Sequence, residues 1–165
     1  MSSDANAAKA GLEGIVAGES TLSDVNGQEG RLIYAGYDIH DLAEHSTFEE
    51  VIYLLWNGLL PTRPQLDELK QQLSSESGLP TDIQQLIRSI PKDANTMDML
   101  RTVVSALSFY DPDKADMSRE ANVRRSIRLT AKFPTIVTTF QRVRNGLDPV
   151  EPRQDLSLAG NFLYT

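Results

Sequence analysis

The sequence contains no cysteine, which excludes disulfides, thiolate metal sites and cysteine nucleophiles together. It has only two histidines, His40 and His45, so any imidazole chemistry must come from those positions. Positive charge is in deficit: 16 Lys and Arg stand against 23 Asp and Glu, a formal net charge of −7. That sign argues against duplex nucleic acid or an anionic membrane as partner, because phosphate recognition rests on clustered cations. No apolar run is long enough to cross a bilayer. Residues 1–10 are small and polar and contain no apolar segment of a secretory signal. These absences predict a soluble, cytoplasmic chain.

What is present describes a folded protein. With 165 residues, 40% hydrophobic and 24% charged, the chain suffices for one ordinary domain with its own core. Residues 1–10 read as a flexible leader. A Gly-rich, alternating stretch follows in three pieces, Gly11–Gly18, Leu22–Val25 and Arg31–Tyr34. Asn26-Gly27 and Gly30 supply turn chemistry between the last two. Two or three short strands in a small antiparallel ribbon are the only β structure expected.

From Thr47 onward the signals are helical, and the fold class is all-α. Thr47-Phe48-Glu49-Glu50 has capping-box spacing, and Val51 to Trp56 are apolar almost all round, which predicts a helix buried on most sides. Gly58 and Pro61 end it. Thr62 opens a second helix with Leu66, Leu69 and Leu73 in a stripe and Gly78 as its cap. Thr81 opens a third, with Ile83, Leu86, Ile87 and Ile90 at i, i+3, i+4 and i+7. Asn95 or Thr96 opens a fourth, whose face carries Met99, Leu100, Val103, Val104, Leu107 and Tyr110. Ser118–Asn145 is the longest periodic segment, with Pro134 inside it as an expected kink. Asp155 caps a last helix holding Leu156, Leu158, Phe162 and Leu163. That helix reaches Thr165 without a stop signal, which predicts a chain truncated inside an element.

Residue chemistry alone yields no active site. His40, Asp41, Glu44 and His45 form the one tempting cluster. However, the histidines are five apart, whereas a zinc-hydrolase helix places them at i and i+4 on one face. A solvated helix start is the expected reading. Arg124, Arg128 and Lys132 recur at i+4, with Arg125, Arg142 and Arg144 nearby. Interleaved aromatics and a basic domain are missing, so a solvated face or intersubunit salt bridges are expected instead of nucleic-acid binding. Gly11, Gly14 and Gly18 lack the G-K-[ST] of a phosphate loop. Ser20, Ser23 and Ser105 have no nucleophile-elbow context, and Met97, Met99 and Met117 read as core filler.

Several segments nevertheless form an ordered pattern. Gly11-Leu-Glu-Gly14-Ile-Val, Asn26-Gly-Gln-Glu-Gly30-Arg-Leu-Ile-Tyr34 and Gly36-Tyr37-Asp38-Ile39 come first. Phe48-Glu-Glu-Val51 through Leu60-Pro61 and Met97-Asp98 through Leu107 follow. Ala131-Lys132-x-Pro134-Thr135-Ile136-Val137, Arg142-x-Arg144-Asn145-Gly146 and Asn161-Phe162-Leu163-Tyr164 complete it. In order and spacing this resembles the N-terminal part of citrate synthases of the shorter bacterial type, cyanobacterial ones among them, over about residues 11–165. Two departures stand out. Ala35 occupies a position where the family usually has Arg, and Asn95-Thr96 replaces the usual His-Pro.

The resemblance implies a fold that is almost wholly helical, with residues 11–165 forming part of the large domain. It implies an acyltransferase of the tricarboxylic acid cycle that condenses acetyl-CoA with oxaloacetate and water to citrate and free CoA. The family's acid–base carboxylate, its histidines and its carboxylate-binding arginines lie in the second half. None matches a position here, and His40 and His45 do not correspond to them. No catalytic, cofactor-binding or metal residue is therefore assigned to this chain, and acetyl-CoA is a substrate of the parent enzyme. The resemblance further implies a homodimer through about Thr96–Tyr110 and Arg119–Asn145, with Val103, Leu107 and Ile136 as expected seam residues. The alternatives are a fragment of a methylcitrate synthase and a non-catalytic helical module that self-associates.

Overall fold

Short-range turn chemistry sets the first element. The structure, a computed structural model, describes Val16 and residues 18–165. The leader assigned to residues 1–10 and most of the first expected strand piece, Gly11–Gly18, lie outside the described residues. Strands β1 (Ser23–Asn26), β2 (Arg31–Tyr34) and β3 (Tyr37–Asp38) form an antiparallel sheet in that order. Asn26 faces Arg31 at one end of the ribbon, and Tyr34 faces Tyr37 at the other. β3 is only two residues long and carries no alternation signal, so the sequence reading does not contain it. It exists because Ala35 and Gly36 both adopt positive φ, 46° and 91°, and reverse the chain in a two-residue turn.

Helix α1 (Ile39–His45) starts at Asp38, whose Oδ1 accepts the His40 N–H at 3.0 Å. α2 (Phe48–Asn57) starts with the expected capping box: the Glu50 carboxylate accepts from Thr47 N at 2.6 Å, and Thr47 Oγ1 accepts from Glu50 N at 3.3 Å. Gly58 closes it in the left-handed conformation, φ 77°. Burial on most sides does not occur. Glu49, Ile52 and Leu54 are buried, Val51, Tyr53, Leu55 and Trp56 are half-buried, and Phe48 is exposed. The reason is a shortage of neighbours, since α3 and α7 are its principal packing partners among the described residues.

α3 (Arg63–Ser75) buries Leu66, Leu69 and Leu73 as its stripe predicts. Its C-cap is Glu76, not Gly78, because the Glu76 N–H reaches back to the Leu73 carbonyl before the chain arrives at the glycine. α4 (Thr81–Ser89) buries Ile83 and Ile87. α5 (Thr96–Leu107) is capped by Asn95, whose Oδ1 accepts from Met97 N at 2.8 Å, and passes into a 3-10 turn at Ser108–Tyr110. α6 (Arg119–Arg144) is capped by Ser118 and runs unbroken through Pro134, ending at Asn145 and Gly146 with φ 76°. α7 (Leu158–Tyr164) is capped by Ser157, whose hydroxyl accepts from Gly160 N at 3.0 Å. Asp155 is not its cap, because that carboxylate is taken by Arg153 at 2.5 Å.

Two apolar clusters share α6. One packs Ile83, Ile87, Met99, Val103, Leu107, Ile136 and Phe140 between α4, α5 and the C-terminal half of α6. The other packs Ile52, Leu69, Leu73, Ile127, Ala131 and Leu158 around its N-terminal half. This corrects the expectation for the seam. Val103 and Ile136 are fully buried and Leu107 nearly so inside the chain's own core, and none of them is available to a second copy.

Candidate functional site

The histidine cluster disperses on α1. His40, Asp41, Glu44 and His45 are all exposed, and Leu42 is the only buried residue of the helix. Glu44 approaches His45 at 3.9 Å, with both side chains about three-quarters exposed. Among the described residues no group of three or more His, Cys, Asp or Glu is placed to hold a metal ion.

The basic stripe of α6 is a densely paired polar feature, its cations engaged by carboxylates of the same chain. Arg124 grips Asp113 through Nε at 3.1 Å and Nη2 at 2.6 Å. Arg125 Nε meets Asp111 at 2.8 Å and its other nitrogens reach Asn122 and the main-chain carbonyls of Asp113 and Asp116. Arg128 Nη2 bridges Asp111 and Asp113, each at 2.6 Å. Lys132 pairs with Glu76 at 3.0 Å. Three guanidinium groups therefore fasten the Asp111–Asp116 loop onto α6, with bidentate geometry that suits Arg better than Lys. Hydrogen bonds from Arg124 and then Arg128 hold the Asp113 carboxyl far below the usual carboxylate range. Burial pushes Asp111 up, but the Asp113 N–H and the two arginines outweigh it, and its pKa falls. The Ser118 N–H lowers Asp116 in the same way.

A cleft of about 750 Å³ opens beside this cluster. Leu79, Val104 and Leu129 supply apolar wall, and Arg128 and Lys132 stand on its polar side. A second cleft, about 470 Å³, lies between α3 and the segment before α7, with Glu49 at its base. Neither contains a histidine. Of the cations lining the larger cleft, Arg125, Arg128 and Lys132 pair with carboxylates of the same chain.

Buried polar contacts that the sequence reading missed hold the second cleft together. Glu49 is 4% exposed, and its Oε1 accepts from Leu158 N at 3.0 Å. Asn161 Oδ1 accepts from Arg153 N, and its amide donates to Arg153 O, each at 2.8 Å. Thr135 Oγ1 donates to Ser77 O at 2.8 Å. Their partners are eight to 109 residues away in sequence, so no local motif announces them.

The family model described as "Citrate synthase, C-terminal domain" matches residues 11–165. The chain belongs to the citrate synthase family. It is 47% identical over 156 residues to "Citrate synthase 2" of Bacillus subtilis, covering 94% of this chain and 41% of that one. It is 44% identical over 161 residues to the citrate synthase of Haloferax volcanii, covering 94% and 42%. The crystal structure of citrate synthase from Pyrobaculum aerophilum superposes with a TM-score of 0.85 at 35% identity, covering 93% of this chain and 40% of that one. The chain thus spans about two fifths of the length of these citrate synthases. Both sequence departures from the family pattern have a place in the fold. Ala35 sits at positive φ in the β2–β3 turn, and Asn95 caps α5.

Proposed function

We propose that this chain is the helical N-terminal part of an acyltransferase that condenses acetyl-CoA with oxaloacetate and water to citrate and CoA. The family membership of residues 11–165 carries the reading. In this reading the chain supplies scaffold: residues 11–165 form part of the large domain, and the proton-transferring groups come from elsewhere in the enzyme. The catalytic, cofactor and metal assignments to this chain are none, and acetyl-CoA is a substrate of the whole protein in the cytoplasm. Citrate formation is favoured over methylcitrate formation because both relatives named above are citrate synthases.

A homodimer through Thr96–Tyr110 and Arg119–Asn145 belongs to the same proposal. Its support is the apolar surface these segments keep in the single chain. Met97 and Phe109 are 68% and 78% exposed, and Val123 and Phe133 about two-fifths. Exposed apolar groups in such number mark a surface that is covered in the working assembly.

The test is CoA release. The 165-residue chain alone should release none from acetyl-CoA and oxaloacetate, whereas a protein continuing it to the length of its relatives should. Release by the chain alone would overturn the scaffold assignment. A longer protein that works on propionyl-CoA in preference to acetyl-CoA would replace citrate by methylcitrate as product.

A further inference from the structure

Three Asn-Gly pairs occur in the sequence, at Asn26-Gly27, Asn57-Gly58 and Asn145-Gly146, and the fold treats them differently. Asn57 and Asn145 end helices. The Asn57 amide donates to Tyr53 O at 3.0 Å, and the Gly58 N–H is held by Leu54 O at 2.7 Å. The Asn145 amide donates to Gln141 O at 2.8 Å, and the Gly146 N–H is held by Val143 O at 3.0 Å. At both sites the glycine nitrogen and the asparagine side chain are tied into the last turn.

Asn26 is arranged in the opposite way. It ends β1 and leads into an exposed turn, and among the described residues no hydrogen bond engages the Gly27 N–H. Its Oδ1 accepts two main-chain N–H groups, from Gln28 and Glu29, each at 3.1 Å. Two donors on a carbonyl oxygen draw electron density from the carbon and stabilise negative charge that develops on the oxygen. This is the geometry by which an oxyanion hole promotes attack.

We propose that Asn26 is a modification site, where the Gly27 nitrogen attacks the Asn26 side-chain carbonyl and converts the residue to aspartate and isoaspartate. In the first step the Gly27 N–Cγ bond forms and the Cγ–Nδ2 bond breaks. The Gly27 proton leaves with the amide nitrogen as ammonia, and a succinimide remains. In the second step solvent water adds to either ring carbonyl. Opening at one C–N bond gives aspartate, and opening at the other gives isoaspartate. The net change is amide plus water to carboxylic acid plus ammonia, with no oxidation.

The aspartate product retains an acceptor for the Gln28 and Glu29 N–H groups. The isoaspartate product lengthens the main chain by one carbon at Asn26, which pairs with Arg31 as the last rung of the ribbon. That rung should be lost in the isoaspartate form.

The three sites fall in different tryptic peptides, so peptide mass spectrometry of the intact folded protein, aged in mildly alkaline heavy-oxygen water, reads each rate separately. The Asn26 peptide should take up label about tenfold faster or more than the other two, because the helical sites must first open locally. In urea the three rates should converge. Gly27→Ala should slow Asn26 conversion by crowding the attacking nitrogen, and it should fold, since a Cβ at Gly27 meets nothing within 4 Å. Equal or faster labelling at Asn57 or Asn145 in the folded protein would overturn the proposal. So would an Asn26 rate unchanged by Gly27→Ala, or the absence of conversion at Asn26 while urea-unfolded protein reacts.

Discussion

Glu49, in the first turn of α2, accepts a 3.0 Å hydrogen bond from the main-chain nitrogen of Leu158, 109 residues later. The carboxylate is buried at 4% exposure, and Leu158, one of the core residues around α6, begins α7. This contact joins the start of the helical region to its end. Glu49→Ala should lower stability by about 2 kcal/mol, since a hydrogen bond to a charged group is worth roughly 1.5–3 kcal/mol. Urea unfolding of the two proteins measures it, and Glu49→Gln, which keeps an acceptor, should lose less.

Core and surface apolar residues of α6 should separate cleanly. Phe140 is 1% exposed, and Arg144 lies over its ring at 5.3 Å. Phe140→Ala should cost about 3–5 kcal/mol. Phe133, on the same helix but 38% exposed, should tolerate Phe133→Asp with its circular dichroism intact. Under the proposed dimer, sedimentation at micromolar concentration should then show the variant shifted towards monomer. An unchanged sedimentation coefficient would remove Phe133 from the interface.

Acid should loosen the Asp111–Asp116 loop in a defined window. Arg124, and after it Arg128, depress Asp113 below its ordinary value of 3.8. A carboxylate with a lowered folded-state pKa adds stability above its unfolded pKa, and that stability is lost as pH falls through the folded value. Stability should therefore decline as pH drops below about 4, and Asp113→Asn should flatten that limb while lowering stability at neutral pH. Thermal melts across the acid range test the sign directly.

The β2–β3 turn contains a removable strain. Ala35 holds φ at 46° beside Gly36 at 91°, and a Cβ in the left-handed region is unfavourable by roughly 1–2 kcal/mol. Asparagine tolerates that region and is the favoured partner of glycine in such turns. Ala35→Asn should raise stability by about 0.5–1 kcal/mol, measurable as a higher urea midpoint with unchanged slope.

Local physics was legible in the sequence. The Thr47–Glu50 box, the Leu66–Leu69–Leu73 stripe, and the boundaries of α4 and α6 follow from periodicity and caps that act within a few residues. What escaped was set by distant partners. Nothing near Arg124, Arg125 or Arg128 tells that Asp111 and Asp113 fold back onto them, because the loop reaches them only after the 3-10 turn at Ser108–Tyr110 redirects the chain. Asp155 looked like a cap, but the competing Arg153 contact captured it and left Ser157 to do the capping. Val103 and Ile136 showed the apolarity of an interface, but apolarity does not say whether the neighbour is the same chain or another. The five-residue spacing of His40 and His45 was likewise local, since both lie exposed on the single helix α1.

The position of α6 has a mechanical consequence. Its 26 residues extend about 39 Å at the α-helical rise, and each half is clamped in a different apolar cluster. Pro134 lies between the clamps, where its missing N–H leaves one rung of the helix ladder unmade. The helix nonetheless continues unbroken, so one rod is common to both clusters. Because Ile127 and Ala131 precede that rung and Ile136 and Phe140 follow it, the unmade hydrogen bond falls at the boundary between the two clusters.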